Sequence, residues 1–378
     1  MAVQGTQTEA EAGKTDIVLI VPGMDTSRLG HTLEILVDRL DLHLRARADA
    51  AAVVVVSRQG EGVGQAVVHV RLKDGTDRRI ELRELAWSDV RPTVGDASVY
   101  ARLVRGTILI RYWIGSWMLK RMPSTSASMR RWTILNCLLL GLWYAMALAA
   151  AGHLLLTQIV DLFSLGETLG TPWWVKGLWL AILAALGSEV MSHGLNMSWG
   201  IYSFLADKDS FRRKTRARLL GMLTRIAGEG APAGRIVVLA HSMGTAIAVD
   251  ALEAAESVAV NRPPIDLITL GSPLEFMALR EPALLGAVEK CIRSPMVCTW
   301  TDFFDEADAY CSRVPVPTEA GRKFIAHPID LERTLGEALG MLDRHNAYLK
   351  LPEVLDQVAG MVSSATGHIG NTLDRLRW

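Results

Sequence analysis

The stretch RIVVLAHSMGTAIAVDALEAA, residues 235–255, decides the fold class. Its first six residues are nearly all apolar, as in a strand buried on both faces, and the residues after Gly244 are strong helix formers. Between them AHSMG approximates the G-x-S-x-G turn, which lifts a serine hydroxyl above the edge of a sheet. Small residues at Ala240 and Gly244 let strand and helix approach closely. The stretch predicts strand, sharp turn and helix, with Ser242 as candidate nucleophile.

Segments on both sides of this stretch predict strands that alternate with helices. A helix is expected between the first two strands, a basic helix near 203–227, and further helices from about 331 onward. This alternation is typical of an α/β fold, in which a mostly parallel sheet is flanked by helices. Besides the strand at 235–240, the predicted strands are 15–21, 51–57, 65–72, 79–87, 265–270 and 296–301.

The composition limits the classes of partner and cofactor. The formal net charge of the 378 residues is zero, which gives no indication of a nucleic-acid partner. The four cysteines have no C-x-x-C spacing and no neighbouring histidine pattern of a zinc site, so we interpret them as scattered reduced thiols. The sequence predicts neither a metal nor an organic cofactor.

Two long apolar segments predict a membrane hairpin. Residues 132–160 contain no charged side chain and exceed the ~20 residues that cross a bilayer. The second segment, 173–193, is interrupted only near its ends, by Lys176 and Glu189. Basic residues before and after the pair favour both ends on the cytoplasmic side. We therefore expect an integral membrane protein whose termini and catalytic domain are cytoplasmic and whose partner is the bilayer; two buried core helices are the alternative.

The hairpin divides the chain into predicted units. The segment 103–122 is either an amphipathic helix at the membrane interface, a lid, or an ordinary helix of the α/β domain. The units are a flexible tail at 1–14, the first part of the α/β domain at 15–100, a juxtamembrane segment at 101–131, the hairpin at 132–195, the second part of the domain at 196–350, and a C-terminal helical tail at 351–378.

Histidines after Ser242 supply candidates for the base that a serine nucleophile requires. A histidine must take the hydroxyl proton, and a carboxylate must hold that imidazole in the right tautomer. In enzymes built on such a sheet, the acid and then the histidine follow the serine on later loops. His345, in LDRHNAYLKLP, has the expected position; His327 is the competitor, and His368 lies in the tail.

The candidate acids follow the strand at 296–301. It continues into DFFDEADAY, which offers Asp302, Asp305 and Asp308. Asp302 is so close to the end of the strand that its side chain can point into the turn of the loop itself. The choice among the three stays open on the residues alone.

Five segments together resemble α/β-hydrolases of the lipase–esterase type: IVLIVPGMD, AHSMGT, LGSPLEF, WTDFFDEAD and RHNAY. The acid loop in that family often has a Trp, an Asn or Asp, and a later Asp, which resembles Trp300, Asp302 and Asp308. The resemblance implies Asp308 as the acid, with Asp305 as the alternate, although Ala309 and Tyr310 replace the usual Pro and Val. It covers about 14–90 and 200–350.

The oxyanion of an acyl-transfer intermediate needs backbone donors. The N–H after the nucleophile is one of them, and here it belongs to Met243. In the family that the chain resembles, the second donor follows an early strand in a His-Gly-x sequence. The matching residues are Pro22, Gly23 and Met24, which implies the N–H of Met24.

The expected function is that of a membrane-anchored serine hydrolase. It would cleave an ester of a lipid or another acyl substrate through Ser242, His345 and Asp308, with an acyl-enzyme intermediate. Two alternatives stay open: an acyltransferase or thioesterase with the same triad, and a non-catalytic membrane adaptor that uses the fold for binding.

Overall fold

A computed structural model gives the fold of the protein. It describes residues 15–24, 29–47, 50–58, 64–92, 99–113, 127–162, 175, 177–178, 189–228, 233–255, 264–317, 323–336 and 340–360. The strands are β1 (Thr15–Val21), β2 (Ala50–Arg58), β3 (Gln65–Leu72), β4 (Asp77–Glu84), β5 (Ala233–His241), β6 (Ile265–Leu270), β7 (Val297–Phe304) and β8 (Phe324–Pro328).

The helices of the described residues stand on both sides of these strands. They are α1 (His31–Ala46), α2 (Val99–Trp113), α3 (Ala127–Leu162), α4 (Glu189–Leu205), α5 (Phe211–Gly228), α6 (Met243–Ala255), α7 (Leu274–Ala278), α8 (Ala283–Arg293), α9 (Leu331–Leu335), α10 (Met341–Asn346) and α11 (Pro352–Val358). Short 3₁₀ turns connect several of them.

The eight strands form one mixed sheet in the order β2-β3-β4-β1-β5-β6-β7-β8. Only β3 runs antiparallel to its neighbours; every other pairing is parallel. The parallel strands therefore end at the same edge, where β1, β5, β6 and β7 present their following loops. The α/β class with a mostly parallel sheet, predicted from the alternation of strands and helices, is confirmed.

Each face of the sheet packs against its own apolar core. On one face of the sheet, side chains of β1 and β5 such as Leu19 and Val238 pack against helices α5, α6 and α8. On the other face, side chains such as Val18 and Val237 pack against α1, α11 and the turn that contains Tyr348. Strands buried on both faces are continuous apolar runs, which is the pattern that β1 and β5 show.

Besides shifts of one to three residues at the ends of several strands, two details of the sheet differ from the prediction. Strand β7 continues to Phe304, so Asp302 lies within the strand and not in the loop that follows. An eighth strand, β8, pairs with β7 at the edge of the sheet and was not predicted. Its sequence, FIAHP, is short, contains a proline and is largely exposed, so it lacks the apolar run of the central strands.

The predicted transmembrane hairpin is wrong, and so is the integral-membrane location with two spans and cytoplasmic termini. Among the described residues, no helix is both long and apolar enough to cross a membrane. The uncharged stretch 132–160 lies in α3, while most of 173–193 lies outside the described residues.

The first turns of α3 pack on the α/β domain. Met129 is buried in the core, and the hydroxyl of Ser128 donates a hydrogen bond of 2.9 Å to the carbonyl of Ala307. The start of α3 lines an apolar cavity, whereas Leu138, Leu142 and Leu148 farther along the helix are exposed. The segment 103–122 is described only as far as Trp113, where it forms the end of α2.

Candidate active site

Ser242 occupies a sharp turn between β5 and α6. Its φ of 54° is in the left-handed region, which is strained for a residue with a Cβ. The turn is held by the N–H of Ser242, which donates to the carbonyl of Leu270 on the adjacent strand at 2.9 Å. A Cβ on Gly244 would lie 2.1 Å from the carbonyl oxygen of Val21, so only glycine lets α6 begin this close to β1.

His345 and Asp308 form a buried pair at the same edge of the sheet. His345 lies near the end of α10, and Asp308 lies in the loop after β7. The Nδ1 atom of His345 is 2.8 Å from Oδ2 of Asp308, and both side chains are almost fully buried. A carboxylate at Nδ1 fixes the tautomer in which Nδ1 carries the proton and Nε2 accepts one.

Asp308 is held in its ionised form. Burial alone raises the pKa of this carboxyl, but the charge and hydrogen bond of His345 lower it, and so do two further donors. These are the N–H of Tyr310 at 2.9 Å and the hydroxyl of Tyr348 at 3.1 Å. The net pKa of Asp308 is below its ordinary value.

The imidazole of His345 is enclosed by aromatic rings and one glycine. The ring of Tyr310 meets it edge-on at 5.3 Å between centroids, and the ring of His241 lies 4.9 Å away. The Nε2 atom of His241 is hydrogen-bonded to the carbonyl of His345 at 2.8 Å. A Cβ on Gly271 would approach the imidazole to 3.2 Å and the ring of Tyr348 to 2.8 Å, so a side chain there would displace one of the two rings.

The alternate acids have other partners. Asp305 forms a salt bridge of 2.7 Å with Arg344 and accepts a hydrogen bond from the N–H of Leu331. Asp302 is fully buried and accepts a hydrogen bond of 2.7 Å from the hydroxyl of Thr269. Burial raises the pKa of Asp302 to about 7, although Thr269 and the N–H of Val314 oppose the shift.

The alternate histidines lie elsewhere. His327 is on the edge strand β8, where its ring packs against Phe303 and burial lowers its pKa. His368 lies outside the described residues. Of the candidate histidines within the described part of the chain, His345 is therefore the one that contacts Asp308.

An apolar pocket of about 160 Å³ opens beside Ser242. Both predicted oxyanion residues, Met24 and Met243, line it, as does Tyr310, whose ring touches His345. Met243 is the first residue of α6, where backbone N–H groups lack partners within the helix and favour negative charge. Helices α2, α3 and α4 form most of the remaining walls, chiefly with Leu109, Ile110, Trp113, Met129, Trp132, Met197 and Ile201.

The site contains residues that the sequence did not single out. Tyr348 donates its hydroxyl proton to Asp308 and accepts a hydrogen bond of 2.9 Å from the N–H of Asp305. Its position three residues after His345 is a signal in the sequence, since residues at that spacing share one face of a helix. The role of Gly271 has no such signal, because it depends on a contact between distant segments.

Among the residues that the structure describes, no group of three or more His, Cys, Asp and Glu side chains lies close enough to hold a metal ion.

Comparisons with protein-family models, with curated proteins and with solved structures gave no match. The geometry of the site is therefore the basis for assigning a function.

Proposed function

We propose that this protein is a serine hydrolase that cleaves an acyl ester through Ser242, His345 and Asp308. The observation that carries the proposal is the buried hydrogen bond between His345 and Asp308, next to a pocket that contains a serine in a strained turn. Burying an imidazole and a carboxylate is unfavourable unless they pair, and strained backbone and perturbed pKa values concentrate at functional sites.

The proposed reaction has two acyl-transfer steps. Nε2 of His345 takes the proton of the Ser242 hydroxyl as the oxygen attacks the ester carbonyl, and Asp308 stabilises the imidazolium that forms. The imidazolium then gives the proton to the departing alcohol, which leaves the acyl group on Ser242. Water, deprotonated by the same histidine, releases the acid. The N–H groups of Met24 and Met243 are the proposed donors to the oxyanion.

The pocket favours an uncharged acyl group of modest size. Its walls are apolar and aromatic, so they would exclude a charged acyl chain. An engineered protein cavity of about 150 Å³ binds benzene, a molecule of six carbons. The pocket of about 160 Å³ is therefore suited to an acyl group of roughly six carbons.

Covalent labelling with a fluorescent fluorophosphonate tests the proposed nucleophile. We expect the wild-type protein to be labelled, Ser242→Ala to give no label, and His345→Ala to lower the rate of labelling by at least about a hundredfold. Ser198→Ala is the matched control, because Ser198 lines the same pocket and has no assigned role. Absence of labelling in wild-type protein with an intact unfolding transition would overturn the proposal.

The two rival functions give different results in the same preparation. A non-catalytic adaptor would neither react with the probe nor release an acid from 4-nitrophenyl hexanoate. An acyltransferase would be labelled at Ser242, but release of hexanoic acid would be slow until an acceptor alcohol, amine or thiol is added. Steady release of hexanoic acid without an acceptor supports hydrolysis.

A further inference from the structure

A second cavity adjoins the apolar pocket and differs from it in chemistry. This crevice, of about 650 Å³, lies between the start of α3 and the loop after β7. Its walls share Trp132 and Ala309 with the apolar pocket, so the two cavities lie side by side. The apolar pocket has no charged side chain in its walls. The crevice has three, Arg131, Glu306 and Arg344.

Two of these charges are already compensated. Arg344 forms salt bridges with Asp305 and Glu332. Glu306 forms one with Arg313. Neither side chain therefore offers a full charge to a ligand.

Arg131 is the exception. It is exposed, lies in the first turns of α3, and makes no ion pair with any carboxylate in the described part of the chain. Its neighbour Arg130 is also exposed but does not line the crevice, because consecutive residues of a helix point about 100° apart. The uncompensated charge of the crevice is therefore positive.

We propose that the crevice binds the alcohol or thiol portion of the substrate and that this portion carries a negative charge. The inference rests on the proposed function, since it places the acyl group in the apolar pocket and the scissile bond at Ser242. The substrate class is then an acyl ester or thioester whose leaving group bears a carboxylate, phosphate or sulfate. A guanidinium in a partly enclosed site favours such groups, because it donates two hydrogen bonds to them as well as its charge.

Paired thioesters test the charge of the leaving group. Hexanoyl thioesters of mercaptoacetate, 3-mercaptopropionate and 6-mercaptohexanoate place a carboxylate at three distances from the scissile bond. The three corresponding carboxamides have the same shape without the charge. Release of the thiol, detected with a chromogenic disulfide, gives kcat/KM for wild type, Arg131→Gln and Arg130→Gln.

We expect Arg131→Gln to lower kcat/KM about fivefold for at least one carboxylate, and less than twofold for its carboxamide, as for an exposed ion pair. Arg130→Gln should leave kcat/KM unchanged for the carboxylate and for its carboxamide. In wild type, added salt should lower kcat/KM for the carboxylate relative to the carboxamide. Equal effects of Arg131→Gln on every carboxylate and its carboxamide would overturn the inference while the proposed function stands. If wild type cleaves none of the six thioesters and is not labelled at Ser242, the proposed function and this inference both fail.

Discussion

The edge of the sheet and the helices above it supply different parts of the site. The loops after β1, β5 and β7, together with α10, contribute the polar groups: Asp308 accepts hydrogen bonds from three donors, and the N–H of Ser242 donates to the carbonyl of Leu270. Helices α2, α3 and α4, here called the helical cover, contribute apolar walls. Strand register therefore sets the positions of the proposed catalytic groups, and helix packing sets most of the shape of the pocket.

This division has a physical origin. Parallel strands end at one edge of the sheet, and their hydrogen-bonded register fixes where the following loops begin. Proton transfer requires groups that are positioned this closely. Helices pack through side chains that tolerate substitution of similar volume. Changes at the sheet edge should then affect every substrate alike, and changes in the helical cover should alter which substrate is preferred.

Substitution of Asp308, the proposed acid, has the largest expected effect on activity. Asp308→Asn should lower kcat on 4-nitrophenyl hexanoate by about 10⁴-fold, because the amide no longer holds the imidazole in the productive tautomer. Asp305→Asn is the matched control: it loses the salt bridge with Arg344 and lowers stability, but kcat should fall less than about tenfold. The reverse order of effects would assign the acid to Asp305 and contradict the division of roles within this loop.

The next effect concerns stability and pH. The pKa of Asp302 is about 7 in the folded protein, against an ordinary value of 3.8, so the folded state binds a proton that the unfolded state releases between these values. This contribution to stability is fully present below about pH 4 and is lost as the pH rises through 7. Between pH 5 and 8 the titration of Asp302 lowers the free energy of unfolding by on the order of 3 kcal/mol.

Asp302→Asn removes this titration. The free energy of unfolding, measured by urea titration, should fall less between pH 5 and 8 in the variant than in wild type. Other buried carboxyls with raised pKa, such as Glu84, contribute equally to both proteins and cancel in the difference. Parallel pH curves for the two proteins would show that Asp302 does not titrate in this range.

The smallest effect is on acyl-chain preference. Ile110, on α2, lines the apolar pocket and is only partly buried. Ile110→Ala should favour longer chains and Ile110→Phe shorter ones, each changing the ratio of kcat/KM for octanoyl and butanoyl esters by about tenfold. A uniform loss of activity across the chain-length series would mean that the helical cover also positions the reacting groups.

The sequence predicts what is local in this fold. The strands β1, β3 and β6 were predicted to the residue, and the strand–turn–helix around Ser242 was predicted from 21 consecutive residues. The contact between His345 and Asp308 joins the histidine chosen from its order along the chain to the acid that the family resemblance implied, while their part in catalysis stays a prediction.

The sequence did not predict what depends on distant contacts. The length and lack of charge of 132–160 led to the membrane hairpin. Only the packing of distant segments shows that the start of this helix lines an apolar pocket. The hydroxyl of Tyr348 and the space at Gly271 acquire their roles only when β6, β7 and α10 meet. Neither propensity nor periodicity contains that information.

The pairing of β1 with β5 has a consequence for how the chain folds. Val21 lies beside Ala240, although the whole helical cover comes between them in sequence. The central sheet cannot form until a loop of more than 200 residues closes, which makes folding slow and exposes β1 until β5 is present. The entropy of that closure grows only with the logarithm of loop length, so doubling the whole loop would cost about 0.6 kcal/mol. Loop-closure entropy therefore sets little limit on the length of the helical cover.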